Sequence, residues 1–370
     1  MKEKIKVLHV VGRMDRGGTE ALLMSLLRTL DTDSFQYDFV EQTQDVCDYD
    51  EEIASLGATI YRCPHISIKN LQAYRKWWRT FFLEHPEYTI VHGHSRGSAP
   101  IYLDEAKKAG RITIAHCHNN SHGKGLKGLI RYIWQIPLRK MADYNFACSY
   151  DSGISQFGKH SPFEVIKNGI QSEKFLWNEK TRKRIRDEFS LENKFVVGNV
   201  ARFEEQKNHL FLIEVFYEIL KIQENAVLML VGQGTREQEI RDLAKKLGIL
   251  DRIVFTGVRS DVYDLMQAMD VFVLPSLFEG LGIVNIEAQA ASLPVFTSAQ
   301  VVPKEIEITD LVEFISLKES PETWAKHIVN SPKLLWPRKN RHQEIIDHGF
   351  DIRATKEKLE NFYEEVRRGK

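Results

Sequence analysis

The sequence lacks a long hydrophobic run, a dense set of cysteines and an excess of either charge. None of its apolar stretches approaches the ~20 residues needed to span a bilayer. The first residues, MKEKIKVLHVVGRMDRGG, lack the basic and then apolar pattern of a cleavable signal peptide. The four cysteines show no CxxC or Cys/His ligand spacing, which favours buried thiols over disulfides or a zinc site. These absences predict a cytoplasmic protein.

The chain as a whole carries no net charge, but its charged residues are unevenly distributed along the sequence. The 51 Lys and Arg offset 51 Asp and Glu, which argues against a general nucleic-acid binder. Between residues 61 and 142, which we call the basic region, 14 basic residues stand against four acidic ones. The sequence therefore predicts a polarised protein that does not bind nucleic acid.

Short apolar runs recur between longer amphipathic segments in both halves of the chain. Continuous apolar runs are typical of strands buried on both faces of a parallel sheet, with the intervening segments as crossover helices. At 370 residues the chain also exceeds the ~250–300 at which one core usually stops growing. We therefore predict two parallel α/β domains, with strands at Ile5–Val11, Tyr37–Val40, Ile90–His92, Ile112–Ala115, Asn145–Ala147, Phe195–Val200, Val227–Val231, Ile253–Thr256, Val271–Leu274 and Val295–Thr297.

The boundary between the two domains is predicted near a turn dipeptide. Asn168 and Gly169 follow a short apolar run and precede a charged, helix-like stretch at 179–189. The amphipathic segment 351–368 has no strand after it, so we expect it to pack back on the first domain. The predicted domains are residues 1–172 with 352–370, and residues 173–351.

The segment SLFEGLGIVNIEAQA, which follows a predicted buried strand, has the pattern of a ligand loop. Gly280 and Gly282 remove side chains where the backbone turns, and a helix N-terminus at this edge offers free N–H groups, so a phosphate is expected on Gly282 and Ile283. Glu279 and Glu287 lie too far apart to share one oxygen, but they can hold two hydroxyl-bearing rings of one ligand. A sugar and a ribose fit that description. Two solvated glutamates beside a glycine loop are the alternative interpretation.

Glu279 and Glu287, with the Glu-Gly-Leu-Gly and Glu-Ala sequences around them, resemble the signature of retaining glycosyltransferase family 4, most closely in bacterial capsule and exopolysaccharide transferases. The resemblance implies the GT-B fold, in which two Rossmann-like domains face each other across a cleft. It implies an acceptor-binding amino-terminal domain and a nucleotide-sugar-binding carboxyl-terminal domain. It also implies retention of anomeric configuration with no obligatory metal or cofactor, and no Asp-x-Asp metal motif stands in a plausible loop.

Other stretches follow the order of the same family. Arg202 and Lys207 are similar to the family's pair that holds the donor diphosphate. In that pair a bidentate guanidinium and a lysine ammonium face the two phosphates. Taken alone, such a pair is more often a solvated helix start. The resemblance implies further donor contacts from the glycine loop after the first strand, from turns after later strands and from the loop beside Glu279: Gly17, Gly18, Gly232, Val258, Gly280, Leu281, Gly282 and Ile283.

Histidines are concentrated in the basic region, which holds seven of the 13. Four of them, His92, His94, His116 and His118, come near the ends of predicted strands. In family 4 a histidine at the end of such a strand faces the donor sugar, and by position His116 matches it best, with His118 second. The resemblance implies that this residue orients the sugar during catalysis. For His92, His94 and His122 we expect core or capping roles.

Two stretches of the basic region combine aromatic side chains with Lys and Arg. As helices, residues 69–82 and 124–140 would have the composition of interfacial amphipathic segments, to which anionic lipid adds ~1 kcal/mol per basic residue. We therefore expect peripheral contact with the inner face of the cell membrane. Buried aromatic side chains with solvated charges are the alternative.

Together these patterns predict a retaining glycosyltransferase. It would move a hexose or N-acetylhexosamine from a nucleotide sugar, with UDP as the expected nucleotide, to a glycan or polyprenyl-diphosphate-linked acceptor. Glu279 would fix the sugar hydroxyls, Glu287 the ribose, and Arg202 with Lys207 the leaving diphosphate. Two alternatives stay open: a nucleotide-sugar epimerase of the same fold, and a non-catalytic protein that binds sugar nucleotides.

Overall fold

The computed structural model describes residues 4–118, 136 and 138–369. The chain divides into two compact units. The amino-terminal unit comprises Met1–Ile170 and Ile352–Lys370, and the carboxyl-terminal unit comprises Gln171–Asp351. Each unit is built around its own parallel sheet.

The amino-terminal unit contains a seven-stranded sheet in the order β3-β2-β1-β4-β5-β6-β7. Its paired strands are parallel throughout the described residues. The central strands are buried along nearly their whole length because helices cover both faces of the sheet. The strands are β1 (Ile5–Val11), β2 (Phe35–Glu41), β3 (Ile60–Arg62), β4 (Ile90–Gly93), β5 (Ile112–Cys117), β6 (Tyr144–Ala147) and β7 (Glu164–Val165).

The helix Ile352–Arg368 completes the amino-terminal unit from the far end of the chain. It buries Leu359, Tyr363 and Val366 in the same core cluster as residues of β1 and β2, and each such side chain contributes ~1.5–3 kcal/mol when fully buried. The expectation that this segment packs on the first domain is confirmed. The unit's other helices are Gly18–Arg28, Asp50–Ser55, Leu71–Glu84, Ala99–Lys108, Leu138–Met141 and Tyr150–Phe157, with a 3-10 turn at Ile68–Asn70.

The carboxyl-terminal unit contains a six-stranded parallel sheet in the order β10-β9-β8-β11-β12-β13. Its strands are β8 (Phe195–Val200), β9 (Ala226–Val231), β10 (Ile253–Gly257), β11 (Val271–Leu274), β12 (Val295–Ser298) and β13 (Val312–Ile315). Its helices are Glu179–Glu188, His209–Ile222, Glu237–Lys246, Val262–Ala268, Val284–Ala290, Pro321–Val329 and His342–Asp347. Short 3-10 turns lie at Ser172–Phe175, Glu205–Lys207, Leu250–Arg252, Lys304–Ile306 and Pro332–Leu335.

In both sheets the strand order reverses beside the first strand of the unit. β1 lies between β2 and β4, and β8 lies between β9 and β11. The loops that leave two such neighbouring strands diverge at the carboxyl edge, and open α/β sheets bind their ligands at this point. The loops after β8 and β11, and those after β1 and β4, are therefore where a site is expected.

All ten predicted strands are confirmed, but three further strands were not predicted. These are β3, β7 and β13, and each lies at an edge of its sheet. Because an edge strand has a neighbour on one side only, it tolerates polar residues and short length. Their sequences, Ile-Tyr-Arg, Glu-Val and Val-Glu-Phe-Ile, accordingly lack the continuous apolar run that marks the central strands.

The four cysteines are buried and free, as the sequence predicted. Across the described parts of the chain, no helix combines the length and apolarity required to cross a membrane.

Candidate functional site

In the carboxyl-terminal unit, the loops after β8 and β11 are tied together by hydrogen bonds. The Leu277 N–H donates to the Gln206 carbonyl at 2.8 Å. The side chain of Gln206 donates in return to the Phe278 carbonyl at 2.9 Å. Asn208 Nδ2 donates to the Pro275 carbonyl at 3.1 Å. These bonds fix the two loops against each other at the point where the strand order reverses.

Glu279 is the buried carboxylate of this junction, with only 4% of its surface exposed. Its Oε1 accepts from Lys207 Nζ at 2.6 Å and from Ser276 Oγ at 2.6 Å. Gln206 Nε2 lies 3.4 Å from the other carboxylate oxygen. The structure thus brings together two residues that the sequence analysis assigned to different parts of the donor. Lys207 contacts Glu279 directly, and its ammonium compensates the charge of the buried carboxylate.

Arg202, on the same loop as Lys207, has a different environment. Its side chain is exposed, and none of the described residues forms an ion pair with it. It follows the last residue of β8 by two positions, so it lies at the carboxyl edge of the sheet. An uncompensated guanidinium there is suited to a phosphate oxygen, which it can bind through two parallel N–H groups.

The loop Gly280–Ile283 leads from Glu279 into the helix Val284–Ala290. Gly282 has φ +79°, and an added Cβ would lie 2.8 Å from Asn285 Nδ2, so the turn requires glycine here. Asn285 Nδ2 donates to the Gly282 carbonyl at 3.0 Å. The backbone N–H groups of Leu281 and Ile283 donate to no described residue. The turn therefore leaves unsatisfied donors at the same edge as Glu279.

The turns after β9 and β10 lie on the other side of β8. Gly232 has φ +137°, and an added Cβ would stand 2.1 Å from the Ala201 carbonyl oxygen, so the two loops approach too closely for a side chain. The Gly232 N–H donates to the Gly257 carbonyl at 2.9 Å. Val258, the next residue, is half-buried. The residues predicted to contact the donor in this unit therefore all lie along one edge of its sheet.

Glu287 lies in the first turn of the helix Val284–Ala290 and is half-buried. Burial raises the pKa of its carboxyl to about 7. None of the described residues forms an ion pair or a side-chain hydrogen bond with it. A carboxylate held without a partner in a partly dry site is available to a ligand hydroxyl, at a cost in stability.

Because the buried carboxylate of Glu287 lowers the stability of the fold, Glu287→Gln is expected to raise stability in a pH-dependent way. Because burial raises the pKa from 4.5 to about 7, the folded state binds more protons than the unfolded state between these values. The carboxylate therefore destabilises the fold increasingly as pH rises through this window. The variant should melt about 3–8 °C above the wild type at about pH 8 and within a degree or so of it at about pH 5.

Thermal unfolding at the two pH values measures this difference. Glu305, which is exposed in the same unit, supplies the matched control, since Glu305→Gln should leave the melting temperature unchanged at both values. An equal effect of Glu287→Gln at both pH values would show that the charge of Glu287 is not the cause.

In the amino-terminal unit, Gly17 and Gly18 form the start of the helix Gly18–Arg28, after β1. An added Cβ at Gly17 would lie 2.3 Å from Oε2 of Glu20, which folds back over the turn. The Ala21 N–H donates to the Gly17 carbonyl at 2.8 Å. The missing side chain at Gly17 therefore leaves room for the Glu20 carboxylate over the turn that follows β1.

Five histidines of this unit form what we call the histidine cluster: His9, His92, His94, His116 and His118. His94 lies at its centre, with Nε2 3.1 Å from His9 Nδ1 and Nδ1 2.9 Å from His118 Nε2. His92 Nε2 lies 3.1 Å from His116 Nδ1. Burial lowers the pKa of His9 and His118 to about 3, and that of the other three well below the usual value. All five rings are neutral at neutral pH.

The cluster refines the predicted roles of the histidines. His116 and His118 stand at the end of β5, where the sequence analysis placed them. His92 is a core residue, as expected, whereas His94 links two other histidines. His9 was missed because its membership depends on the parallel pairing of β1 with β4, where it lies opposite His92. His122 lies outside the described residues.

Two trios within the cluster have the spacing of metal ligands. The ligand atoms of His9, His92 and His94, and those of His94, His116 and His118, lie within 4.8 Å of one another. However, the rings of His94 and His118 are within 27° of parallel, and their nitrogens are 2.9 Å apart. Two nitrogens on a tetrahedral zinc would be ~3.3 Å apart. We therefore interpret the cluster as a hydrogen-bonded network.

Most aromatic side chains of the helix Leu71–Glu84 lie in the core of the unit. Four of its aromatic side chains, Tyr74, Trp78, Phe81 and Phe82, are buried in the core. Two of its basic side chains are engaged as well, because Arg75 and Arg79 pair with Glu105 at 2.8 and 2.6 Å. For residues 69–82, the structure therefore agrees with the alternative interpretation, in which the aromatic side chains belong to the core. Of the second stretch, 124–140, only residues 136 and 138–140 are described.

Both units match models of known protein families. Residues 16–174 match the model described as Glycosyltransferase Family 4, and residues 181–331 match the model described as Glycosyl transferases group 1. The chain is 31% identical to EpsF of Bacillus subtilis, a protein named as a glycosyltransferase, over 97% of this chain and 96% of EpsF.

Two further relatives match over nearly the whole chain. One is the capsular polysaccharide biosynthesis glycosyltransferase CapH of Staphylococcus aureus, at 26% identity over 97% of this chain and 98% of CapH. The other is the UDP-Gal:alpha-D-GlcNAc-diphosphoundecaprenol alpha-1,3-galactosyltransferase of Escherichia coli, at 24% identity over 97% of both chains.

Among solved structures, HepE of Anabaena in complex with UDP and glucose aligns with a TM-score of 0.80. The alignment covers 97% of this chain and 99% of HepE, at 19% sequence identity. At this identity the likeness concerns the fold.

Proposed function

Since the chain belongs to glycosyltransferase family 4 and has the GT-B fold, we propose that it is a retaining enzyme of polysaccharide biosynthesis. It transfers a hexose or N-acetylhexosamine from a UDP-sugar to a glycan or lipid-linked acceptor. The observation that carries this proposal is the junction of the loops after β8 and β11. A buried carboxylate, Glu279, and an exposed guanidinium, Arg202, stand there at one sheet edge. These groups suit the hydroxyls and the diphosphate of one donor.

Each group has a distinct task in the proposed reaction. Arg202 and the free N–H groups of Leu281 and Ile283 stabilise the charge that develops on the leaving diphosphate. Glu279, paired with Lys207, accepts hydrogen bonds from the sugar hydroxyls. Glu287 accepts from the ribose. The acceptor hydroxyl attacks the anomeric carbon of the sugar from the same face as the departing phosphate. That phosphate takes the proton of the hydroxyl.

The amino-terminal unit supplies the acceptor side and a contact to the sugar in this proposal. His116 forms a hydrogen bond with the sugar and orients it, with His118 beside it at a ring distance of 4.0 Å. Gly17 and Gly18 allow the loop after β1 to approach the ligand. The UDP in the HepE complex and the UDP-Gal and diphosphoundecaprenol in the name of the E. coli relative support the choice of donor and acceptor.

A screen of nucleotide sugars by thermal unfolding tests the donor. A ligand that binds the native state at about a hundred times its Kd stabilises it by ~2.7 kcal/mol. UDP-sugars should therefore raise the melting temperature more than GDP- or TDP-sugars do, and Arg202→Ala should abolish the shift. A shift with GDP-sugars alone would contradict the choice of UDP. If no nucleotide sugar shifts the transition, the proposed function itself is wrong.

Product analysis separates a transferase from the two alternatives. With acceptor present, the transferase consumes donor and forms a glycoside of unchanged anomeric configuration, which proton NMR identifies. An epimerase would release nucleotide without any acceptor, and a binding protein would release none.

A further inference from the structure

Three side chains of metal-ligating type meet at the carboxyl end of β2, and we call them the β2 cluster. Glu41 is the last residue of β2, Cys47 lies in the loop that follows, and Asp50 is the first residue of the helix Asp50–Ser55. Each offers one ligand atom, a carboxylate oxygen or Sγ, and these atoms lie within 4.8 Å of one another. The Cys47 N–H donates to Asp50 Oδ2 at 2.8 Å, which joins the loop to the start of the helix.

Arg62, which pairs with Glu41 in the register of β2 and β3, contacts both carboxylates of the β2 cluster. It donates to Glu41 Oε2 at 2.7 Å and to Asp50 Oδ2. The other oxygen of each carboxylate is buried and has no hydrogen-bond partner among the described residues. Glu41 as a whole has 0% of its surface exposed. Because a buried polar atom is costly to leave unbound, these two oxygens indicate a ligand.

The charge of the β2 cluster indicates that this ligand is a cation. Arg62 is the one cation of the described residues that forms an ion pair with Glu41 or Asp50, so two carboxylates face a single guanidinium. Metal binding also displaces the proton of a thiol, which adds the negative charge of the Cys47 thiolate. A divalent cation then cancels the remaining charge of the site.

The types of ligand determine which divalent cation fits. Ca²⁺ and Mg²⁺ prefer larger sets of oxygen ligands, whereas zinc accepts sulfur and oxygen together in a four-coordinate site. Ligand atoms on a tetrahedral zinc of this kind lie ~3.4–3.6 Å apart, which small side-chain rotations in the β2 cluster can reach. We propose that Glu41, Cys47 and Asp50 bind a zinc ion. Arg62 holds the two carboxylates through their outer oxygens, and water takes the fourth position.

A zinc ion in the β2 cluster fixes the loop of residues 42–49, which in turn supports the loop after β1. Arg13 pairs with Asp45 at 2.6 Å, and the Tyr49 N–H donates to the Met14 carbonyl at 3.0 Å. The site therefore has a structural role, and the proposed transfer reaction has no step through it. The inference concerns the free protein and does not depend on the proposed function.

Substitution with Co²⁺ tests the site, because a bond between cobalt and a thiolate gives a near-ultraviolet charge-transfer absorption that oxygen and nitrogen ligands do not give. Protein stripped with a chelator should develop this absorption with one equivalent of Co²⁺, and Zn²⁺ should displace it, since zinc binds such sites more tightly. Cys47→Ser should abolish the absorption, and Glu41→Gln should weaken Co²⁺ binding at least about tenfold. Zn²⁺ at about a hundred times its Kd should raise the melting temperature of the wild type by about 5–10 °C and leave that of Cys47→Ser nearly unchanged.

Cys63→Ser is the matched control. Cys63 is a buried, free cysteine of the same unit and directly follows Arg62, but it belongs to none of the groups with metal-ligand spacing in the described residues. This variant should keep both the cobalt absorption and the thermal shift with zinc. Circular dichroism verifies that all three variants fold.

The two readouts together decide the inference. An absorption that persists in Cys47→Ser would assign the ion to another thiol, and a thermal shift without any absorption would assign it to residues such as the histidine cluster. Either result would overturn the inference. Wild-type protein that shows neither signal would overturn it as well, and the two carboxylates would then share a proton.

Discussion

Glu279→Gln is expected to lower kcat for sugar transfer by about 10²–10³-fold, the range seen when one charge-stabilising group is removed from an active site. The substitution keeps the size of the side chain but removes the negative charge that the proposed mechanism directs at the sugar hydroxyls. Steady-state transfer of sugar to acceptor, measured at saturating donor, checks this. The exposed Glu305, changed to Gln in parallel, should leave kcat at the wild-type value.

The contact with Lys207 requires a second variant, because Glu279→Gln also leaves a buried ammonium without its counterion. Only 16% of the Lys207 side chain is exposed, and breaking a buried ion pair in this way destabilises proteins by about 3–5 kcal/mol. The double variant Glu279→Gln/Lys207→Met removes the unpaired charge and should recover most of the lost melting temperature without recovering transfer. If transfer returned with stability, the pair would be a purely structural feature.

Arg202→Ala is expected to lower kcat/KM by about 10²-fold without changing stability, since charge-assisted bonds to a phosphate exist only in the complex. The side chain is exposed and has no ion pair with any described residue, so its removal breaks no ion pair in the described parts of the chain. Arg202→Lys should recover only part of the loss, because the lysine ammonium cannot form the two parallel hydrogen bonds that a guanidinium makes with a phosphate. Donor-dependent kinetics and thermal unfolding of both variants test these outcomes.

Arg252 provides the matched control for this experiment. It directly precedes β10 and therefore lies at the opposite, amino-terminal edge of the same sheet. Arg252→Ala removes an equal charge from the same unit and should leave kcat/KM unchanged. Equal losses for the two arginines would mean that the net charge of the unit, and not a defined phosphate contact, governs donor binding.

The fold could be predicted because central parallel strands are covered on both faces and are therefore mostly apolar. Three of them, β1, β8 and β11, were predicted to the residue, and the others within a few residues. The positions of Glu279 and Arg202 could be predicted for a related reason, since loops at the carboxyl edge follow directly from strand ends. For these residues, local pattern and chain position contain the necessary information.

The contacts between distant residues could not be predicted in the same way. Lys207 and Glu279 are 72 positions apart, and each carries a charge that suits a ligand as well as it suits the other. Tyr363 and His92 are 271 positions apart, and nothing in an amphipathic helix pattern distinguishes a tyrosine that only packs from one that also forms a hydrogen bond. Such pairings depend on strand order and on helix rotation, which composition and periodicity do not specify.

The helix Ile352–Arg368 also governs the order in which the two units are completed during synthesis. It covers residues of β1 and β2 that leave the ribosome some 300 positions earlier, an interval of about 15–60 s at ~5–20 residues per second. Throughout this interval Tyr37 and Phe39 lack the apolar cover that Leu359 and Tyr363 later provide. The carboxyl-terminal unit, which is continuous from Gln171 to Asp351, has emerged in full by then. The unit that is translated first is therefore the one that finishes folding last.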